Sequence, residues 1–151
     1  MIEVFSKRTR LNASAAVVFA WHAHPDALRK LVPPWEPVEV LERIGGIALG
    51  ARVVLRIGRG PLKISWVARH TKYEENRMFQ DVQDSGPFAF WEHTHRFEAD
   101  GPDACFLEDT VRYTLPLAPL SHWIAGGLVR RKIQRMFDYR HEATRREVET
   151  R

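Results

Sequence analysis

From Val38 onward, apolar and polar residues alternate with a period of two, and this alternation sets the architecture. It predicts strands at Val38–Arg43, Ala51–Arg59, Leu62–Tyr73, Met78–Asp84, Phe88–Glu98 and Cys105–Leu115. Turn-forming residues separate them at Gly45-Gly46, Gly58–Pro61, Glu74–Asn76, Ser85-Gly86-Pro87 and Asp100–Asp103. Before these, Ile2–Leu11 reads as a strand, and Asn12 or Ser14 supplies the cap of a helix from Ala15 to about Ala23. A second short helix, Asp26–Val32, must stop at Pro33-Pro34, whose rings carry no backbone donor. From Leu120 to about Glu149 the pattern is helical. Six strands joined by short turns are mainly antiparallel, because parallel neighbours need crossovers of roughly a dozen residues or more. The expected fold is therefore α+β, a single domain over residues 1–151. In it a curved antiparallel sheet of about seven strands wraps around a long C-terminal helix, with two short helices after the first strand.

The apolar face of each strand marks the core. Ala51, Val53, Leu55 and Ile57 oppose Arg52 and Arg56, and Leu62, Ile64, Trp66, Ala68 and His70 oppose Lys63, Ser65 and Arg69. Trp91, His93, His95 and Phe97 share a face, as do Leu107, Asp109, Val111, Tyr113 and Leu115. Three histidines and an aspartate thus sit among core residues. The terminal helix shows two stripes about half a turn of the wheel apart, one through Leu120, Trp123, Ile124, Gly127 and Leu128, the other through Val129, Ile133, Met136, Phe137 and Arg140. The slip at Gly126-Gly127 predicts a bend, or a short helix feeding a longer one, with Gly127 either at a purely structural hinge or at a gap beside a ligand. Arg140 reads as a snorkelling side chain, with an anion clamp as the alternative.

Composition narrows the class. The longest apolar run, Ala15–Trp21, has seven residues against the roughly 20 of a membrane-spanning helix, and charges interrupt the first residues, so a cytoplasmic location is expected. Cys105 is the single cysteine, which excludes an intrachain disulfide and multi-cysteine metal sites. The net charge of +4 lies entirely in residues 121–151, with eight basic and four acidic residues. Arg130, Arg131, Lys132, Arg135, Arg145 and Arg146 offer an attachment to an anionic membrane surface. Aromatic residues do not interleave with these charges, so no nucleic acid is expected.

A hairpin closing through Asp100-Gly101-Pro102-Asp103 pairs Phe97 with Leu107, His95 with Asp109, His93 with Val111 and Trp91 with Tyr113. Asp109 would then accept a hydrogen bond from His95, with His93 and Arg140 as competing partners. An imidazole oriented by a buried carboxylate suits acid–base catalysis, with His95 as proton shuttle, Asp109 as its orienter and His93 as a second polar contact. A purely structural pair has the same signature, and neither a nucleophile nor an oxyanion hole is evident. His93, His95, His70 and Asp109 give only weak chelating geometry, while His22 and His24 diverge by about 200° on their helix. No metal and no cofactor are expected. Trp66, Trp91, Phe97 and Tyr113 either line a pocket or fill it.

Four blocks go further: Phe19-Ala-Trp21-His22, Leu31-Val-Pro33-Pro34-Trp35-Glu36, Gly86-Pro87-Phe88-x-x-Trp91-x-His93-x-His95-x-Phe97 and Phe137-x-Tyr139-Arg140. In these, and in element order over essentially its whole length, the chain resembles the START-like superfamily, also called SRPBCC or birch-pollen-allergen-like proteins. The blocks are those of a bacterial subgroup, some members of which are fused to sugar-epimerase-like domains. Asp26 stands where that resemblance places a glycine. The resemblance implies the helix-grip fold and a cavity between sheet and C-terminal helix for a small hydrophobic or amphipathic molecule. The residues that the strand faces and the glycine slip offer to such a ligand are Trp66, His70, Trp91, His93, His95, Phe97, Asp109, Tyr113 and Gly127. Some superfamily members are lipid carriers, others polyketide cyclases or dehydratases, so the expected role is carriage, with cyclase or dehydratase chemistry through His95, Asp109 and His93 as the alternative.

Overall fold

The computed structural model describes residues 1–150. Its elements follow the order β1 (Glu3–Leu11), α1 (Ala15–Ala23), α2 (Ala27–Leu31), β2 (Val38–Ile44), β3 (Arg52–Arg59), β4 (Leu62–Glu74), β5 (Met78–Ser85), β6 (Phe90–Ala99), β7 (Cys105–Thr114) and α3 (Leu120–Glu149). Every element expected from the sequence is present, with ends displaced by at most two residues. Ser14 is the cap of α1, its hydroxyl accepting from the Val17 amide at 3.2 Å. Asp26 has φ −88°, an ordinary right-handed conformation, so the absent glycine costs the turn nothing.

The seven strands form one antiparallel sheet in the order β1-β7-β6-β5-β4-β3-β2. The two short helices carry the chain from one edge of the sheet to the other, and the meander β2 to β7 then returns to pair with β1. Register irregularities at Val40/Glu42, Val67/Ala68 and His70/Lys72 supply the bulges that help curve the sheet. At the β3–β4 turn, Gly58 has φ +115°, and a Cβ there would lie 2.1 Å from the Leu62 carbonyl oxygen, so the hairpin requires glycine.

The two-helix alternative for the last segment is corrected by the structure: α3 is one helix, Leu120–Glu149, through Gly126-Gly127. Its two stripes have a different cause. Val129, Ile133, Met136 and Phe137 pack on the sheet, whereas Leu120, Trp123, Ile124 and Leu128 face away from the protein, Trp123 being 90% exposed. The first turns are tied down by His122 instead, whose Nε2 accepts the Leu115 amide at 3.2 Å. No helix among the described residues is long and apolar enough to cross a membrane.

Two hydrophobic clusters flank a polar layer. One gathers Leu11, Val18, Phe19, Trp21, Phe79, Phe97, Leu107 and Val148, and the other Phe5, Trp91, Val111, Tyr113, Leu115, Ile133 and Phe137. The β6–β7 register is the expected one, Phe97↔Leu107, His95↔Asp109, His93↔Val111 and Trp91↔Tyr113. The cross-strand pair His95 and Asp109 therefore falls where one cluster gives way to the other.

Candidate functional site

The site is built around Asp109. On the core face of β7, with only 3% exposure, its carboxylate cannot be hydrated and must be satisfied by protein. His93 donates from Nε2 to Oδ1 at 2.7 Å, and His141 of α3 donates from Nε2 to Oδ2 at 2.6 Å. The other nitrogen of His141 then accepts from the Thr9 hydroxyl at 2.7 Å, so one ring joins α3 to both β1 and β7. His95 Nδ1 stands 3.0 Å from Asp109 Oδ1 but out of hydrogen-bond alignment, which makes this a charge contact. The expected hydrogen bond from His95 thus comes from His93. The residue directly across the ladder is nearest, but the diagonal neighbour two positions along points its N–H at the carboxylate.

Asp81 of β5 flanks the same histidines from the other side. Its Oδ2 lies 3.4 Å from His95 Nε2 and 3.8 Å from His93 Nδ1. The His95 ring stacks on Phe79 at 4.0 Å between centroids, holding it with one nitrogen toward each carboxylate. Electrostatics follow from this arrangement. Burial disfavours the charged form of His95, but Asp109 and then Asp81 outweigh it and raise its pKa above the ordinary histidine value. Burial would likewise raise Asp109, yet the His95 charge and the hydrogen bonds of His141 and His93 hold it well below the usual carboxylate range. His93 is lowered by burial and by the neighbouring His95 charge, which leaves it neutral.

These groups open onto a cavity of about 290 Å³ between the sheet, α3 and the short helices. Its walls are aliphatic and aromatic, including Leu31, Val53, Leu55, Ile57, Trp66, Phe79, Trp91 and Met136, with Trp66 and Trp91 meeting edge to face at 5.0 Å. Its polar lining comprises His22, His70, Asp81, His93, His95 and Arg140 together with Glu36, Arg43 and Lys132. Arg140 does not reach for solvent as expected of a snorkelling side chain: its Nε is buried without a partner, and its guanidinium lies 5.4 Å from the Phe137 ring centre.

Of the residues suggested for ligand contact, Trp66, His70, Trp91, His93 and His95 line this space. The other four do not. Phe97 is buried in the first cluster against Phe19, Tyr113 lies in the second cluster behind Trp91, and Asp109 sits behind the two histidines it orients. Gly127 is exposed on the part of α3 that leaves the sheet. Sequence reasoning missed Asp81, His141 and the cavity-facing His22. A signal existed for two of them: Asp81 is two residues from the core residue Phe79 on a strand, and His141 is one helical turn beyond Phe137.

His22 yields a pH prediction. Its Nδ1 donates to the Val18 carbonyl at 2.8 Å, and burial, followed by repulsion from His95 and more weakly His141 against attraction from Asp109, lowers its pKa to about 3. An unfolded chain takes up a proton near pH 6.5 that the folded chain refuses, so stability falls as pH drops from 6.5 toward 3. His22 alone contributes roughly 1 kcal/mol per pH unit in that window. Urea titrations between pH 7 and pH 4 should show this loss, and His22→Gln should flatten it; an unchanged slope in the variant would remove His22 as its source.

A family profile described as "polyketide cyclase / dehydrase and lipid transport" matches residues 11–138. Comparison with curated protein sequences returned no significant match. Among solved structures, the Zhui aromatase/cyclase of Streptomyces sp. R1128 superposes with a TM-score of 0.77 at 17% identity, covering 99% of this chain and 94% of that one. Norcoclaurine synthase of Thalictrum flavum gives 0.76 at 15% identity over 100% and 88% of the two chains. A START superfamily protein of Mycobacterium smegmatis gives 0.72 at 17% identity over 97% of each. The fold is thus the helix grip of START-like, birch-pollen-allergen-like proteins. The profile match, over residues 11–138, shows that the chain belongs to the polyketide cyclase/dehydrase and lipid transport family.

Proposed function

We infer that the protein binds a small molecule with an apolar body and a polar or anionic end, held between the sheet and α3. The mixed lining of the cavity carries this reading: aliphatic and aromatic walls surround a polar cluster at His70, Asp81, His93, His95 and Arg140, and Glu36, Arg43 and Lys132 add charge elsewhere on the lining. The unpaired Nε of Arg140 is a donor available to such a molecule. At about 290 Å³ the space is at the lower limit of ordinary ligand pockets, which favours a compact molecule over a two-chain lipid. Norcoclaurine synthase, solved with dopamine and hydroxybenzaldehyde, shows the same fold holding small aromatic compounds. The catalytic form of this reading is an acid–base step of the cyclase or dehydratase kind. His95 serves as acid and Asp81 as acceptor, with His93 as a further polar contact and Asp109 holding the rings.

A separate observation favours action at an anionic membrane. Leu117, just before α3, and Leu120, Trp123, Ile124 and Leu128 on it are all exposed, immediately ahead of Arg130, Arg131, Lys132 and Arg135 on the same helix. An apolar tip followed by a cationic belt is the pattern of a helix that seats in the headgroup region.

Three outcomes test these readings. Native mass spectrometry of protein from its own host should show one bound small molecule per chain, and Ala68→Phe, which projects a ring into the cavity, should weaken an apolar fluorescent probe at least tenfold. Equal affinity of the probe for both forms would place binding elsewhere. His95→Ala should keep the probe and lose conversion of the copurified molecule, whereas retained conversion excludes His95 from the chemistry. In flotation assays the protein should bind anionic and not neutral vesicles, less so as salt shortens the Debye length from about 10 Å at 0.1 M to about 3 Å at 1 M. Indifference to lipid charge rejects the membrane reading.

A further inference from the structure

We propose that Asp81, His93 and His95 bind a divalent first-row transition-metal ion at the polar cluster of the cavity. One donor atom from each of the three lies within 4.8 Å of the others. The geometry identifies them as an Asp81 carboxylate oxygen, His93 Nδ1 and His95 Nε2, with the nitrogens 3.8 and 3.4 Å from Asp81 Oδ2. Ligands about 2.1 Å from one tetrahedral ion stand roughly 3.4 Å apart, so the Asp81–His95 spacing already fits and a small rotation of His93 closes the site.

The hydrogen bonding around the cluster points to the same occupant. His93 donates its Nε2 proton to Asp109, so in the neutral ring Nδ1 carries a lone pair, and that lone pair stands beside a carboxylate oxygen. The third donor, His95 Nε2, now gives its proton to Asp81 Oδ2 at 3.4 Å, so an ion that takes the place of that proton binds all three groups and releases it to solvent. Behind the cluster, Asp109 backs both rings, at 2.7 Å from His93 Nε2 and 3.0 Å from His95 Nδ1, and is itself fixed by His141 at 2.6 Å. A carboxylate behind each imidazole is how metal-binding histidines are oriented and made more basic. The sequence led to the opposite expectation because His-x-His was visible but its third partner was sought in Asp109, which supports the rings from behind, and not in Asp81.

Two imidazoles and one carboxylate suit zinc, cobalt, nickel or ferrous iron, and suit calcium or magnesium poorly. Three protein ligands leave coordination positions open, and since all three residues line the cavity, those positions face whatever it holds. The inference uses the cavity only as a route of access, and the ion can be measured with no organic molecule present. Failure to bind metal therefore leaves the ligand-binding reading standing, and loss of probe binding leaves this one standing.

Cobalt(II) is the probe, because its visible d–d absorption reports coordination directly. Full-length protein stripped with a chelator should take up one cobalt ion per chain, displaced by zinc and not by excess magnesium. Asp81→Asn, which preserves volume, should weaken binding at least tenfold while circular dichroism shows the fold unchanged. His24→Ala, which removes an exposed histidine outside the cluster, should bind as the parent does. The absence of saturable cobalt binding, binding unaffected by Asp81→Asn, or loss of binding in His24→Ala would overturn the proposal.

Discussion

The fold is organised around one buried negative charge. Taking a carboxylate out of water costs several kcal/mol, and at Asp109 this is offset by the two hydrogen bonds of His93 and His141 and by the adjacent His95. Each partner belongs to a defined place: His93 and His95 fix the pairing of β6 with β7, and His141 fixes the height of α3 above the sheet. Thr9 continues the chain into β1, so a single polar contact system sets the relation of three strands and the helix. Hydrophobic contacts such as those of Ile133 and Phe137 carry no directional demand. The hydrogen bond from His141 to the carboxylate does.

The same charge divides the interior. Aromatic and aliphatic residues close the space on either side of the polar layer, yet beside it His22, Asp81, His93, His95 and Arg140 cannot pack as oil and leave a cavity. Polar side chains with directional demands set the shape of that opening, and Trp66 and Trp91 in edge-to-face contact keep its wall rigid. Chemistry and space thus arise from one feature of the sequence, charged and imidazole groups placed on faces that are otherwise apolar.

What the sequence disclosed follows from how far each signal reaches. Alternation and turn residues are local, and a short hairpin turn converts them into register, so the strands, the pairing of His95 opposite Asp109, and the core faces of β6 and β7 were legible. The approach of α3 to the sheet depends on contacts more than a hundred residues apart, and His141 could not be matched to Thr9 from spacing. Asp81 was obscured because β5 reads Met-Phe-Gln-Asp-Val-Gln, with no clean alternation to mark its inner face. The place of Gly127 and the alternative of two separate helices fail for a different reason. A pattern argument assumes that apolar residues are buried, and at Trp123, Ile124 and Leu128 they are not.

The pairing of β1 with β7 also bears on how the chain assembles. Partners such as Phe5 and Val111 lie about a hundred residues apart, whereas β2 to β7 are joined neighbour to neighbour. Loop-closure entropy orders such events, so the meander collects its contacts early and the first strand and last helix complete the structure late. Before they dock, β7 is an open edge with unpaired amides, and Asp109 has its β6 neighbours but neither His141 nor the Thr9 that steadies it. The closing step of folding therefore covers an adhesive edge and completes the solvation of a charge by protein at the same moment, which makes partial assembly a poor resting point and favours all-or-none closure.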